Sequence, residues 1–219
     1  MSLGFILLIA AGVLILFGAG QRVLDRMRLT DREAILFIAL IIAGGFLPDI
    51  HVTETFAFNV GGALIPLGLC VYLIVKADTF WEKARSVLAA LLTGVAVFAL
   101  GRALPADPAE MVIDPTVVYG VAGGLIAYVF GRSRRCAFIA GTLGVMLANL
   151  ASWGYANAMG AGQRLVLGGA GGFDVIVIAG LLAVLLAELI GEIIERVKRG
   201  RQKPTREFVN GDFVRREQQ

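Results

Sequence analysis

Histidine occurs once in the 219 residues, at His51, and cysteine twice, at Cys70 and Cys136. One imidazole and two widely separated thiols cannot make a structural or catalytic zinc site, and a Ser-His-Asp triad has no partner set around His51. No metal and no cofactor is expected, and both cysteines read as core or interface residues. Charge is scarce too: 17% of residues are Asp, Glu, Lys or Arg, against 58% hydrophobic. Soluble domains run at about a quarter charged and half apolar, so this composition excludes an ordinary soluble fold. The net charge of +3 reflects clustered basic residues near apolar runs, which points to membrane orientation and not to nucleic acid. The N-terminal apolar run lacks a basic flank and a small-residue cleavage site, so it is expected to stay as a first membrane span.

What the chain has in abundance is long apolar stretches. A bilayer core of ~30 Å takes about 20 residues of helix, and about seven segments approach that length: 3–19, 34–50, 56–75, 86–104, 115–131, 136–155 and 173–194. The expected fold is all-α, a polytopic transmembrane helix bundle. Its first, third and fifth connections carry Arg22, Arg26, Arg28 and Arg32, then Lys76, Lys83 and Arg85, then Arg132, Arg134 and Arg135. The second, fourth and sixth carry little positive charge beside Asp49, Glu54, Asp107, Glu110 and Asp114. Basic connections stay cytoplasmic, so the N-terminus is expected outside and the C-terminus in the cytoplasm. Thr30-Asp-Arg-Glu33 and Thr79-Phe-Trp-Glu82 have capping-box spacing, and Asp107-Pro108 and Asp114-Pro115 pair an acid with a proline at a helix start. The organisation expected is a helical membrane domain over 1–200 and a mobile basic cytoplasmic tail over 201–219.

Polar groups inside a bilayer are costly, so their placement narrows the search for a site. With the orientation above, Asn59, Asp114 and Asp174 begin spans at the outer face, and Asn149 reaches the same leaflet on span six. In Asn59-Val-Gly-Gly-Ala-Leu-Ile-Pro66 the proline has no amide and its ring crowds the carbonyl of Gly62, so a break or kink is expected. Gly168-Gly-Ala-Gly-Gly-Phe-Asp174 runs a flexible glycine string into an acid. Broken helices beside polar residues form substrate sites in many transporters. Asn59, Gly61, Gly62, Pro66, Asn149, Gly171 and Asp174 are therefore the candidate ligand-binding residues, in a cavity expected between spans three, six and seven. Each polar member has a plainer reading as a helix cap or interhelical contact.

These two strings, Asn-x-Gly-Gly-x-x-Ile-Pro and Gly-Gly-Ala-Gly-x-Phe-Asp in that order, resemble a bacterial multi-pass family known as Domain of Unknown Function 1614. The resemblance implies a prokaryotic plasma membrane and assigns no activity. A looser similarity is to presenilin-type intramembrane aspartyl proteases, whose motif is Gly-x-Gly-Asp at a helix start. Here Gly171-Gly172-Phe173-Asp174 has phenylalanine where the second glycine should stand. That similarity implies catalysis by Asp174 with a second acid, Asp114 or else Asp49, sharing a proton to activate water.

Three classes of function follow. The leading one is a transporter or small-molecule binding protein whose partners are the lipid bilayer and a small-molecule or ion substrate. The enzyme class is the aspartyl protease, and the chain is expected not to be an enzyme. The third is a non-catalytic assembly or sensor protein whose basic tail docks a cytoplasmic partner or anionic lipid.

Overall fold

The computed structural model describes residues 3–17, 21–103, 115–131, 133–169, 172–201, 206–209 and 212–215. In chain order these form helices α1 (Leu3–Leu16), α2 (Gln21–Met27) and α3 (Asp31–Gly45), then strands β1 (Ile50–His51) and β2 (Phe56–Phe58). A π-helical turn (Val60–Leu64) leads into α4 (Ile65–Val75), followed by α5 (Phe80–Ala103), α6 (Pro115–Gly131) and α7 (Arg134–Ala158). Strand β3 (Leu165–Leu167), helix α8 (Gly172–Arg201), and strands β4 (Arg206–Val209) and β5 (Asp212–Arg215) complete the chain. It divides into two units, Met1–Ala187 and Glu188–Gln219.

Apolar residues that a soluble protein would bury lie on the outside of the first unit. Along α5, Leu88, Leu91, Leu92 and Val95 recur at helical spacing and are exposed, while Ser86, Ala89, Ala90, Thr93, Gly94 and Val97 are buried. Large side chains outward and small ones inward suit a helix solvated by lipid, where association is gained from close backbone approach. Helices α5 and α7 and the 175–194 segment of α8 are each long and apolar enough to cross a membrane. The protein is thus predominantly helical and built for a membrane. Shorter apolar helices occupy Gly4–Ile15, Val60–Val75 and Val117–Gly131. Helices α5, α6, α7 and α8 meet through an alanine cluster of Ala89, Ala127, Ala137, Ala140, Ala183 and Ala187. A second cluster, including Leu24, Leu29, Leu69, Leu73, Ile139 and Val184, joins α2, α3, α4 and α7 to α8.

The expected span 56–75 is not helical throughout. Phe56–Phe58 is extended, pairing antiparallel with β1 and parallel with β3, in the registers Ile50↔Phe58 and Phe56↔Leu165. Strand order is β1-β2-β3. This sheet draws the α3–α4 and α7–α8 connections together, and Trp153 fastens it by donating from Nε1 to the Thr55 carbonyl at 3.1 Å.

The α2–α3, α4–α5 and α6–α7 connections are joined instead by charge. Arg28 makes a two-pronged ion pair with Asp78. Arg28 itself sits at φ 58°, a left-handed residue closing α2, where Leu29 N donates to Leu24 O at 2.9 Å and Arg28 N to Asp25 O at 3.1 Å. Those two bonds satisfy carbonyls that the helix end would orphan, and the buried Leu24 and Leu29 supply the accompanying apolar contact. From α7, Arg135 Nη1 donates to Glu82 Oε1 at 3.1 Å and Nε to the Met27 carbonyl at 3.4 Å.

Thr30 forms the full capping box expected at α3, its hydroxyl accepting from Glu33 N and its amide donating to Glu33 Oε2. The same Glu33 carboxylate accepts from the Tyr72 hydroxyl and from Lys76 Nζ at 3.0 Å. Glu33 lies ahead of the apolar part of α3, and these donors, Tyr72 foremost, pull its pKa down from 4.5 to about 2. A carboxylate held below its unfolded value stabilises the fold above about pH 4.5, and that contribution is lost as pH falls toward about 2. Thermal midpoints measured from pH 6 downward should therefore fall less steeply in Glu33→Gln than in the wild type over that window. Parallel curves would mean that Glu33 contributes nothing there.

Among the described residues of the second unit, α8 runs on to Arg201 and β4 pairs antiparallel with β5, with Phe208 opposite Phe213 and Arg206 opposite Arg215.

Candidate functional site

Asn59 is the hinge on which the site is built. Its backbone is extended, with φ −86° and ψ 138°, and its Oδ1 accepts from Gly62 N at 2.9 Å, capping the π-helical turn. Its main-chain amide donates to Leu167 O at 2.9 Å, so the cap is anchored to the end of β3. Its Nδ2 donates to Asp49 Oδ1 at 2.9 Å and to the Leu47 carbonyl at 3.5 Å. A buried asparagine that uses both ends of its amide in this way fixes three segments at once.

The wide turn after Asn59 follows from Pro66. In the π-helical turn Ile65 N donates to Val60 O, five residues back. A wider turn relieves the crowding a proline ring imposes on the preceding turn of an α-helix, and α4 then begins with Pro66 at its first positions. The expected break is therefore present as a change of helix type, and Pro66 is buried.

The glycines permit approaches that no side chain would allow. A Cβ on Gly61 would stand 2.1 Å from Gly45 N and 2.3 Å from Ile41 O. A Cβ on Gly62 would stand 1.9 Å from Gly168 O, and one on Gly168, at φ 72°, would stand 2.2 Å from Gly62 C. The two glycine-bearing strings, a hundred residues apart in sequence, thus lie backbone against backbone.

Beside this junction is a cavity of about 570 Å³, lined by Phe5 of α1, Ile41, Ile42 and Gly45 of α3, and Phe46, Leu47, Pro48, Asp49, Asn59, Gly168, Gly169 and Phe173. That volume lies in the range of small-molecule sites, and the lining is apolar and aromatic with a few polar groups, as such sites are. The wall differs from the one expected. Spans three and seven contribute Asn59 and Phe173, but α1 and α3 take the place of span six, and Asn149 is half-buried on α7 away from the lining. The sequence pattern does not single out Phe46, Asp49 or Gly168 as ligand residues. Their signal was weak, because only the folding-back of the α3–α4 connection places Asp49 against Asn59.

Of the remaining candidates, Gly171 and Asp114 lie outside the described residues. Asp174 falls in the first turn of α8, and its side chain lies outside them as well. The Asp49 carboxylate has one partner among the described residues, the Asn59 side-chain amide. No group of three or more His, Cys, Asp or Glu residues that could hold a metal ion occurs among the described residues.

No curated protein and no solved structure matches the chain. The profile of the family described as "Protein of unknown function (DUF1614)" matches residues 22–186. That span takes in both glycine strings, the junction they form and all but one residue of the cavity wall, and covers well over half of the chain: the protein belongs to this family.

Proposed function

We propose that the protein is a multi-pass transporter or small-molecule binding protein of a prokaryotic plasma membrane, with its ligand site open to the outer face. The observation that carries this reading is the cavity of about 570 Å³ beside the Asn59–Asp49 pair and the Gly62–Gly168 junction. In this reading the chain crosses the membrane seven times, through α1, α3, the π-turn with α4, α5, α6, α7 and α8. Two features support that count and an outside N-terminus. Basic residues gather in alternate connections, and the connections meet in two sets: one joined by Arg28–Asp78 and Arg135–Glu82, the other by the three-stranded sheet. An odd number of crossings between the sets produces that division.

Thiol labelling tests the reading directly. Cys70 and Cys136 are buried, so an introduced cysteine can be read against them. In intact spheroplasts, a membrane-impermeant maleimide should label Phe46→Cys at the cavity mouth, and label Trp81→Cys only after permeabilisation. Phe46 and Trp81 are both strongly exposed, so failure at the first position from outside would count against an outward-facing site.

A second reading, an assembly or sensor protein, draws support from the tail. Arg201, Lys203, Arg206, Arg215 and Arg216 give it a basic composition suited to an anionic lipid surface.

A further inference from the structure

Resting on the cavity being a ligand site, we infer that its ligand is an organic cation: an ammonium or similar positive group on an apolar body. The charge inside the cavity decides this. Among the described residues, Asp49 is the one ionisable side chain in the lining, and no Lys, Arg or His lines it. Asn59 holds one carboxylate oxygen of Asp49 and has no further side-chain donor to spare, since the second hydrogen of Nδ2 goes to Leu47 O and Oδ1 accepts from Gly62 N. The second oxygen has no partner among the described residues. His51, the nearest titratable neighbour in sequence, has its Nδ1 3.1 Å from the Asp49 main-chain carbonyl, so it approaches the backbone and not the carboxylate.

The helix ends at the lining, the N-termini of α1 at Phe5, of the π-helical turn at Asn59 and of α8 at Phe173 and the C-terminus of α3 at Gly45 and Phe46, carry fractional charges of both signs that fade within a turn. The Asp49 carboxylate is the one side-chain charge beside them among the described residues.

The aromatic residues point the same way. Phe5, Phe46 and Phe173 all line the cavity, and the rings of Phe5 and Phe46 meet edge to face with centroids 6.4 Å apart. Ring faces attract an organic cation, and apolar walls take up its body. A lipid headgroup amine and a free amphiphilic amine share this chemistry.

The test uses full-length protein in dodecyl maltoside and equilibrium dialysis against two probes of similar shape, the tetraphenylphosphonium cation and neutral triphenylphosphine oxide. Wild type should prefer the cation. Asp49→Asn keeps an oxygen for Asn59 Nδ2 and so keeps the fold, and it should weaken cation binding at least about tenfold while leaving the neutral probe unchanged. Phe46→Leu, at an exposed position, should also weaken the cation selectively. Equal binding of both probes, or no effect of Asp49→Asn, would overturn the cation assignment while leaving a ligand cavity in place. Binding of neither probe, together with an unreactive Phe46→Cys, would remove the ligand cavity itself. In nanodiscs of phosphatidylglycerol, added phosphatidylethanolamine should compete with the probe if the headgroup amine is the occupant. Absence of competition assigns the site to a free amine.

Discussion

Gly62→Ala is expected to cost about 3 kcal/mol or more, lowering the thermal midpoint sharply and cutting recovery of folded protein from the membrane. The added methyl would be placed 1.9 Å from the Gly168 carbonyl oxygen and 2.7 Å from its carbon. Both are backbone atoms, which cannot rotate out of the way as a side-chain tip can. Gly168 cannot retreat freely, because β3 just before it is paired with β2 and Leu167 O accepts from Asn59 N. Relief would have to break that bond or shift the π-helical turn, and either opens the wall of the cavity. Gly68→Ala on α4 is the control, since nothing lies within 4 Å of its missing Cβ. There the exchange should be neutral or add about 0.5–1 kcal/mol, the usual helix preference of alanine over glycine. Size-exclusion profiles after graded heating separate the two, and a wild-type midpoint for Gly62→Ala would show that the glycine strings do not touch.

Helix positions were legible in the sequence because lipid enforces them. The boundaries of α6 match the apolar run 115–131, and the Thr30 box begins α3 as its spacing predicts. The break ahead of Pro66 was legible from the missing amide, though not its form as a wider turn. Asn59 as a cap followed from its place before a helical segment, and the structure gives it that role together with two more.

The site was less legible because its decisive contacts join distant segments. Phe56-Ala-Phe58 reads as the start of a span, since three apolar residues carry no period that separates strand from helix. Pairing with Leu165–Leu167 settles it, and that partner lies a hundred residues away. Thr79-Phe-Trp-Glu82 shows the same limit. Thr79 accepts from Glu82 N as a cap should, but the Glu82 carboxylate goes to Arg135. In the tail, β4 and β5 flank Asn210-Gly211, a strong hairpin dipeptide that the polar, charged surroundings obscured.

That diverted carboxylate carries the other large effect: Glu82→Ala should destabilise the protein by about 3 kcal/mol, and Arg135→Met by only about 1–2 kcal/mol. The asymmetry comes from exposure, the side chains of Arg135 and Glu82 being 4% and 32% exposed. Removing Glu82 leaves a guanidinium shut away from water with the Met27 carbonyl, at 3.4 Å, as its one remaining partner among the described residues. Removing Arg135 leaves a carboxylate that water already reaches, on the first turn of α5 where a helix N-terminus favours it. Methionine also fills much of the volume that arginine's stem occupied. The double variant should then be more stable than Glu82→Ala alone by about 1 kcal/mol or more, a coupling that a cycle of the four proteins measures. Equal costs for the two single variants would mean that Arg135 reaches water after all. The predicted order would instead make this pair the joint that holds the start of α5 to α7, with its stability resting on the buried arginine being answered and not on the ion pair as such.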